Sequence, residues 1–291
     1  MNEDTDNSKG WRLSMPIGVR LMFLATICFT IMQTLVKHLA PIHTLEIAFF
    51  RSAITSLCCF AYLLYFRLPI IGNNQKILII RALLGIISMT SFFFTLQWMP
   101  FGASVSLKYL SPVFAAIVAF FILKEKIKPI QWGFLGMALV GVFLLKGFDS
   151  RISYWGLGIG LLGAISGGLI YPLIRHIGNK EHPIVIINYF MFIAAIVIGI
   201  LMLSHWEYPT SEQWPLLIIM GLAGFFAQFF MTKAFQLGEV NLIAPLKYLE
   251  VVYALLIGLI WYSESYAFLS FLGIVLILVG MLLNLKYKAQ R

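Results

Sequence analysis

The sequence predicts an all-α integral membrane protein, with ten transmembrane helices arranged as two inverted five-helix repeats. Three observations carry this. Of 291 residues, 60% are hydrophobic and only 11% charged, whereas an ordinary soluble domain is about a quarter charged. Ten apolar stretches approach the roughly 20 residues that a spanning helix needs. Leu107-Lys108-Tyr109-Leu110 recurs as Leu246-Lys247-Tyr248-Leu249 inside a second apolar run.

The spans follow in order. The first, 17–39, comes after a basic head and reaches Lys37 without a small-residue cleavage site, so it reads as a retained helix rather than a signal peptide. Thr26, Thr30, Gln33 and Lys37 share one of its faces, because steps of three and four residues return to the same side of a helix. Span two, 44–66, holds Glu46 and Arg51. They are five apart and so do not share a face. Span three, 77–98, carries Ser88, Ser91, Thr95 and Trp98 on one face, with Gln97 beside them. Span four, 101–122, carries Ser104, Lys108 and Ser111. Span five, 130–147, is almost wholly apolar. Span six, 154–176, contains Gly158, Gly160 and Gly163, and a kink is expected at Pro172. Spans seven, 183–203, and ten, 266–285, are apolar. Span eight, 215–236, carries Gln228, Thr232 and Gln236. Span nine, 240–262, carries Lys247 and Glu250.

Registering the two Leu-Lys-Tyr-Leu copies gives an offset of 139 residues. The same offset aligns Gly85 with Gly224, Gln97 with Gln236, Glu125 with Glu264 and Gly141 with Gly280. Polar matches at one constant offset inside apolar sequence indicate duplication. The repeats are read as 17–147 and 154–285, between tails at 1–16 and 286–291. Five spans per repeat is an odd number, so the second repeat enters the membrane inverted.

Net charge is +9. With the N-terminus inside, the inner segments hold most of the lysines and arginines, and the outer ones only Lys37, Lys146 and Arg151. That is the positive-inside bias. It places both termini in the cytoplasm and leaves no basic face for nucleic acid. Cys28, Cys58 and Cys59 lie within spans, so no disulfide framework is expected. The histidines lack metal-ligand spacing. Gly158 to Gly163 satisfies the GxGxxG pattern, but a dinucleotide site needs a strand before it, and close helix packing is the better reading. No cofactor is expected.

A lysine near a membrane helix centre costs on the order of 2.5–3.5 kcal/mol. A chain that carries this cost twice uses charge inside the membrane. Each lysine is about seven residues into its span, so about 10 Å below its own surface. Lys247 and Glu250 are three apart and can pair on one helix face. The residue matching Glu250 in the first repeat is Ser111, so Lys108 lacks that local partner and becomes the better receptor for an anionic group. The expected substrate site is Lys108, Tyr109, Ser111, Gln97, Trp98, Lys247, Tyr248, Glu250, Gln236 and Gln33. Lys37, Glu46 and Arg51 form the expected gating or charge network. An intramembrane enzyme would need a base, nucleophile or metal near one membrane face, and the sequence offers no such cluster.

Leu107 to Ala116, followed by Leu123-Lys124-Glu125-Lys126, resembles the EamA repeat of the drug/metabolite transporter superfamily. Leu246 to Glu250, ending at Glu264, is similar to its second copy, and Glu46 to Arg51 to its helix-2 segment. The resemblance covers nearly the whole chain. It implies ten helices, cytoplasmic termini, a central cavity and a bacterial inner membrane. It also implies a permease that moves a small anionic or zwitterionic metabolite, such as an amino acid, by alternating access. Uptake of S-adenosylmethionine, riboflavin or a similar metabolite is the alternative. The partners implied are the substrate and the lipid bilayer; whether the chain is a monomer stays open. The second copy has Glu250-Val251 where the first has Ser111-Pro112, so a proline bend need not be mirrored.

Overall fold

The structure is a computed structural model. It describes residues 16–111, 113–115, 117, 128–147, 149–177, 181–237 and 244–289. The predicted segments 118–122 and 240–243 lie outside these, as do Pro112, Lys124, Glu125, Lys126 and Lys180.

Among the described residues there are ten α-helices and no strand. They are α1 (Ile17–His38), α2 (Thr44–Tyr65), α3 (Gln75–Trp98), α4 (Phe101–Lys108), α5 (Pro129–Gly147), α6 (Tyr154–Ile177), α7 (Pro183–Met202), α8 (Gln213–Leu237), α9 (Leu249–Ile260) and α10 (Phe268–Ala289). Ile17–His38, Thr44–Tyr65, Gln75–Trp98, Pro183–His205 and Gln213–Ala234 are long and apolar enough to cross a membrane; the apolar parts of α5, α6 and α10 are shorter.

Helix ends follow local chemistry. Pro183 occupies the first turn of α7, where a missing N–H costs nothing. His43 caps α2 by accepting the Leu45 N–H at Nδ1, 3.3 Å, and His182 caps α7 by accepting that of Ile184 at 3.3 Å. These two histidines are 139 residues apart, the offset of the lysines. Arg67, with φ 51°, closes α2, and the Leu68 N–H returns to the Leu63 carbonyl at 2.9 Å.

The packing pairs fall into matched sets. α1 lies along α8 as α6 lies along α3, and α2 packs on α8 as α7 packs on α3. α2 meets α7, α4 meets α9, and α5 meets α10. Glycines permit the closest approaches. A Cβ at Gly141 would sit 2.5 Å from the Gly273 carbonyl, and one at Gly280 would sit 2.7 Å from the Phe134 carbonyl. Both lie in the α5–α10 seam.

Leu57, Phe143, Ile200 and Ile260 are exposed on the flanks. A soluble monomer would not leave such large side chains bare over so wide a surface; lipid covers them here. Tyr154, Trp155, Tyr208 and Trp261 are exposed near helix ends, where amphipathic rings suit the membrane–water boundary.

Candidate functional site

Both Leu-Lys-Tyr-Leu copies lie at a helix end. α4 stops at Lys108, and the Leu110 N–H turns back to the Leu107 carbonyl at 3.0 Å. Residue 112 is a proline and has no N–H to give the Lys108 carbonyl; the Ser111 hydroxyl donates to it instead, at 2.8 Å. The second copy ends in a 3₁₀ turn, Ala244–Tyr248, before α9 begins. The continuous helix predicted over 101–122 is corrected on this point; of 240–262, the described part opens with this 3₁₀ turn.

These helix ends change the ion pairing. Lys108 Nζ approaches Glu250 Oε2 at 3.5 Å. Gln33 Nε2 donates to the same oxygen at 2.7 Å, and Glu250 is fully buried. Sequence spacing had paired Glu250 with Lys247 and left Lys108 without a carboxylate. That rule assumes one unbroken helix, but Lys247 belongs to the 3₁₀ turn and Glu250 to α9. Lys247 instead donates to the Met231 sulfur at 3.3 Å.

Aromatic faces complete the cluster. Lys108 lies 4.5 Å from the Phe92 ring centre and 5.3 Å from that of Phe29. Lys247 lies 5.6 Å from the same Phe29 ring. Each contact is worth roughly 0.5–2 kcal/mol, more where water is excluded. The Tyr109 and Tyr248 rings meet at 5.1 Å. Beside Lys108, Ser88, Thr95, Ser104 and Gly163 line a cavity of about 10 Å³. That is room for about one water.

A second ionic cluster joins helix ends. Lys37 Nζ pairs with Glu264 at 2.9 Å and donates to the Met99 carbonyl at 2.9 Å. Glu264 also accepts the Phe101 N–H at 2.8 Å, capping α4. Ser263, with φ 50°, turns the chain back so that the Glu264 N–H bonds the Gly258 carbonyl at 2.8 Å. The Tyr266 hydroxyl donates to Glu264. Arg151 pairs with Asp149 at 2.7 Å and donates to the Ser265 carbonyl. The hydrogen bond to Asp149 is the main reason its pKa is raised.

The expected network of Lys37, Glu46 and Arg51 is not assembled. Among the described residues no ion pair joins the three. Glu46 is buried in the first turn of α2, and Arg51 is buried among methionines. Gln97 donates to the Ile42 carbonyl at 3.1 Å and accepts from Thr44, so it fastens α3 to α2 rather than reaching Lys108. Trp98 is exposed and packs on Phe94. Only the backbone of Gln236 is described, in α8. The hydroxyls of Thr26, Thr30 and Thr34 bond carbonyls of their own helix. A Cβ at Gly163 would lie 2.9 Å from Ser91 Cβ, and one at Gly160 3.0 Å from Leu107 Cδ1. The packing reading therefore holds for these two glycines, whereas Gly158 has nothing within 4 Å.

Sequence reasoning missed Phe29, Phe92 and Met231. For Phe29 a signal existed: it lies one turn before Gln33 on the polar face of α1. For Phe92 and Met231 none did, since apolar residues fill both helices.

An all-α chain with lipid-covered flanks and an ionic cluster buried between its helices defines a helical membrane protein. A model of the EamA-like transporter family matches residues 16–146 and again 154–286, and the chain belongs to that family. The family and its named relatives are transporters, not enzymes. The chain is 29% identical over 267 residues to a pseudopaline exporter of Pseudomonas aeruginosa, covering 90% of this chain and 94% of that one. It is 26% identical over 254 residues to an S-adenosylmethionine uptake transporter of Rickettsia prowazekii, covering 85% of each. It is 29% identical over 266 residues to solute carrier family 35 member G1 of Homo sapiens, covering 85% of this chain and 73% of that one. A solved crystal structure shares the fold at a TM-score of 0.65 and 14% identity, covering 91% of this chain and 94% of its own.

Proposed function

We propose that the chain is a secondary transporter of a small anionic or zwitterionic metabolite in a bacterial cytoplasmic membrane. It would work by alternating access between two inverted five-helix repeats, 17–147 and 154–285, with both termini cytoplasmic. The matched packing pairs support the repeat. So do the two capping histidines and the two adjacent matches of the family model, all near one offset.

One observation carries the functional reading: a fully buried glutamate shared by Lys108 and Gln33, beside a second buried-flank lysine, where α1, α4 and α9 converge. A buried ion pair is a poor source of net stability, so such a cluster is better explained by use. A substrate carboxylate can take Lys108 from Glu250, while a substrate ammonium can take Glu250 from Lys108. Either exchange changes the contact between α4 and α9 at their helix ends. Tyr109 and Tyr248 form the wall across which the two lysines lie. Ser111 fixes the break rather than binding substrate. Lys37 and Glu264 hold one end of the pathway shut. The named relatives work in opposite directions, one an exporter and others uptake carriers, so the direction of transport needs its own measurement.

Metabolite profiling inside and outside cells with and without this chain tests the reading. It predicts that at least one anionic or zwitterionic metabolite shifts its distribution several-fold. Unchanged profiles in both compartments would contradict it.

A further inference from the structure

Arg51 is 3% exposed, at the level of the second turn of α2. Its Nη1 donates to the sulfur of Met89 and, at 3.5 Å, to that of Met191. Its guanidinium lies 5.9 Å from the Phe93 ring centre. Among the described residues its buried Nε has no acceptor. Thioether sulfur is a weak acceptor, and among the described residues no carboxylate pairs with Arg51. Removing a guanidinium from water on these terms is costly, and an anion would offset that cost.

Packing does not explain the arginine. Under the 139-residue offset Arg51 corresponds to Phe190, and Gly224 to Gly85. A Cβ at Gly85 would touch the Phe190 ring at 2.7 Å; one at Gly224 would lie 3.4 Å from Arg51 Nε. The same helix–helix contact is thus made once with a phenylalanine and once with an arginine. An apolar ring serves the fold at that place, and the arginine breaks the match. Arg81 repeats the pattern. It is 8% exposed and stacks 4.5 Å from Phe190, and its counterpart Met220 is wholly buried.

Arg51 also borders the Lys108 cluster. Phe92 and Phe93 are consecutive on α3; one faces Lys108 and the other Arg51. Lys108 and Lys247 face the same Phe29 ring, at 5.3 and 5.6 Å. Together Lys108, Lys247 and Arg51 set three cations against the single carboxylate of Glu250. A monoanion would leave one of the three cations uncompensated. We infer that the transported molecule carries at least two anionic groups, one received near Lys108 and the other by Arg51. This rests on the Lys108 reading above and narrows it to small dianionic acids, such as dicarboxylates and amino-dicarboxylates.

The test uses the purified full chain. Ligand-induced thermal shifts give apparent affinities for a matched series of monocarboxylates, amino-monocarboxylates, dicarboxylates and amino-dicarboxylates of three to six carbons. The wild type is expected to prefer a dianion over its monoanionic match at least tenfold. Arg51→Gln reduces that preference to within about twofold. Arg51→Phe copies the residue at the matched place, so it keeps the packing if Arg51→Gln does not fold, and it should give the same result. Monoanion binding without dianion preference in the wild type, or a preference that survives both substitutions, overturns the role of Arg51 alone. Absence of binding across the series overturns the Lys108 reading as well.

Discussion

Lys108 and Glu250 approach to 3.5 Å although 142 residues separate them in the chain. The lysine closes α4 and the glutamate lies in the first turn of α9, so their contact joins two helix ends. Both groups have a neighbour that helps hold the charge: Gln33 for the carboxylate, Phe92 for the ammonium. A pair so placed is sensitive to any small shift between the two helices.

Removing one partner should be worse than removing both. Glu250→Leu alone leaves Lys108 as an uncompensated charge and is expected to destabilise the protein by about 3–5 kcal/mol. Lys108→Met combined with Glu250→Leu should recover most of that loss. Thermal unfolding in detergent checks it; a double variant less stable than either single one would refute the pairing.

The Lys37–Glu264 contact closes the helix ends around α4. Glu264→Gln removes the charge pairing with Lys37 but keeps a group able to cap α4. In a background lacking Cys28, Cys58 and Cys59, a cysteine at Ser104 should then react several-fold faster with a membrane-impermeant thiol reagent. An unchanged labelling rate would mean this pair does not guard the pathway.

The α5–α10 seam depends on absent side chains. Gly280→Val places a branched side chain against the Phe134 carbonyl, where even a Cβ has only 2.7 Å. A loss of about 1–3 kcal/mol is expected. Gly158→Val, at a glycine with open space, should be close to neutral in the same melting assay.

Two helix caps depend on neutral histidine. Burial lowers the pKa of His43, with His205 adding to the effect; burial and then Lys233 lower that of His182. A lowered folded pKa gives stability that is fully present above the ordinary value of about 6.5. It is lost as the pH falls from there through the folded value, because protonated Nδ1 cannot accept the capping N–H. Melting temperature should therefore fall between pH 7.5 and 5.5. His43→Asn with His182→Asn keeps a good cap and should remove most of that pH dependence.

Much of the fold was legible because membrane burial writes long signals. Apolar runs located α1 to α3 and α7 closely, and the 139-residue offset found Gly141 and Gly280, which do meet in one seam. The same offset would have picked out His43 and His182, had the histidines been registered rather than judged by metal spacing. The site was legible in type more than in pairing. Lys108, Lys247, Glu250, Gln33 and both tyrosines do come together. Glu250 went to the wrong lysine because i, i+3 spacing holds only within an unbroken helix. Gln97 and Trp98 share a helix with Thr95, yet they lie past the cluster at the α3 end, a matter of depth that face periodicity does not report. Phe29 and Phe92 were hidden because a cation-bearing ring and a core ring are the same letter.

The most direct test of the account is counterflow in proteoliposomes, with a labelled panel of amino acids and small carboxylates, for the wild type and Lys108→Gln. The account predicts that the wild type exchanges at least one anionic or zwitterionic solute, and that Lys108→Gln, with unchanged helical content, exchanges it at least tenfold more slowly. Exchange by Lys108→Gln at the wild-type rate would contradict it.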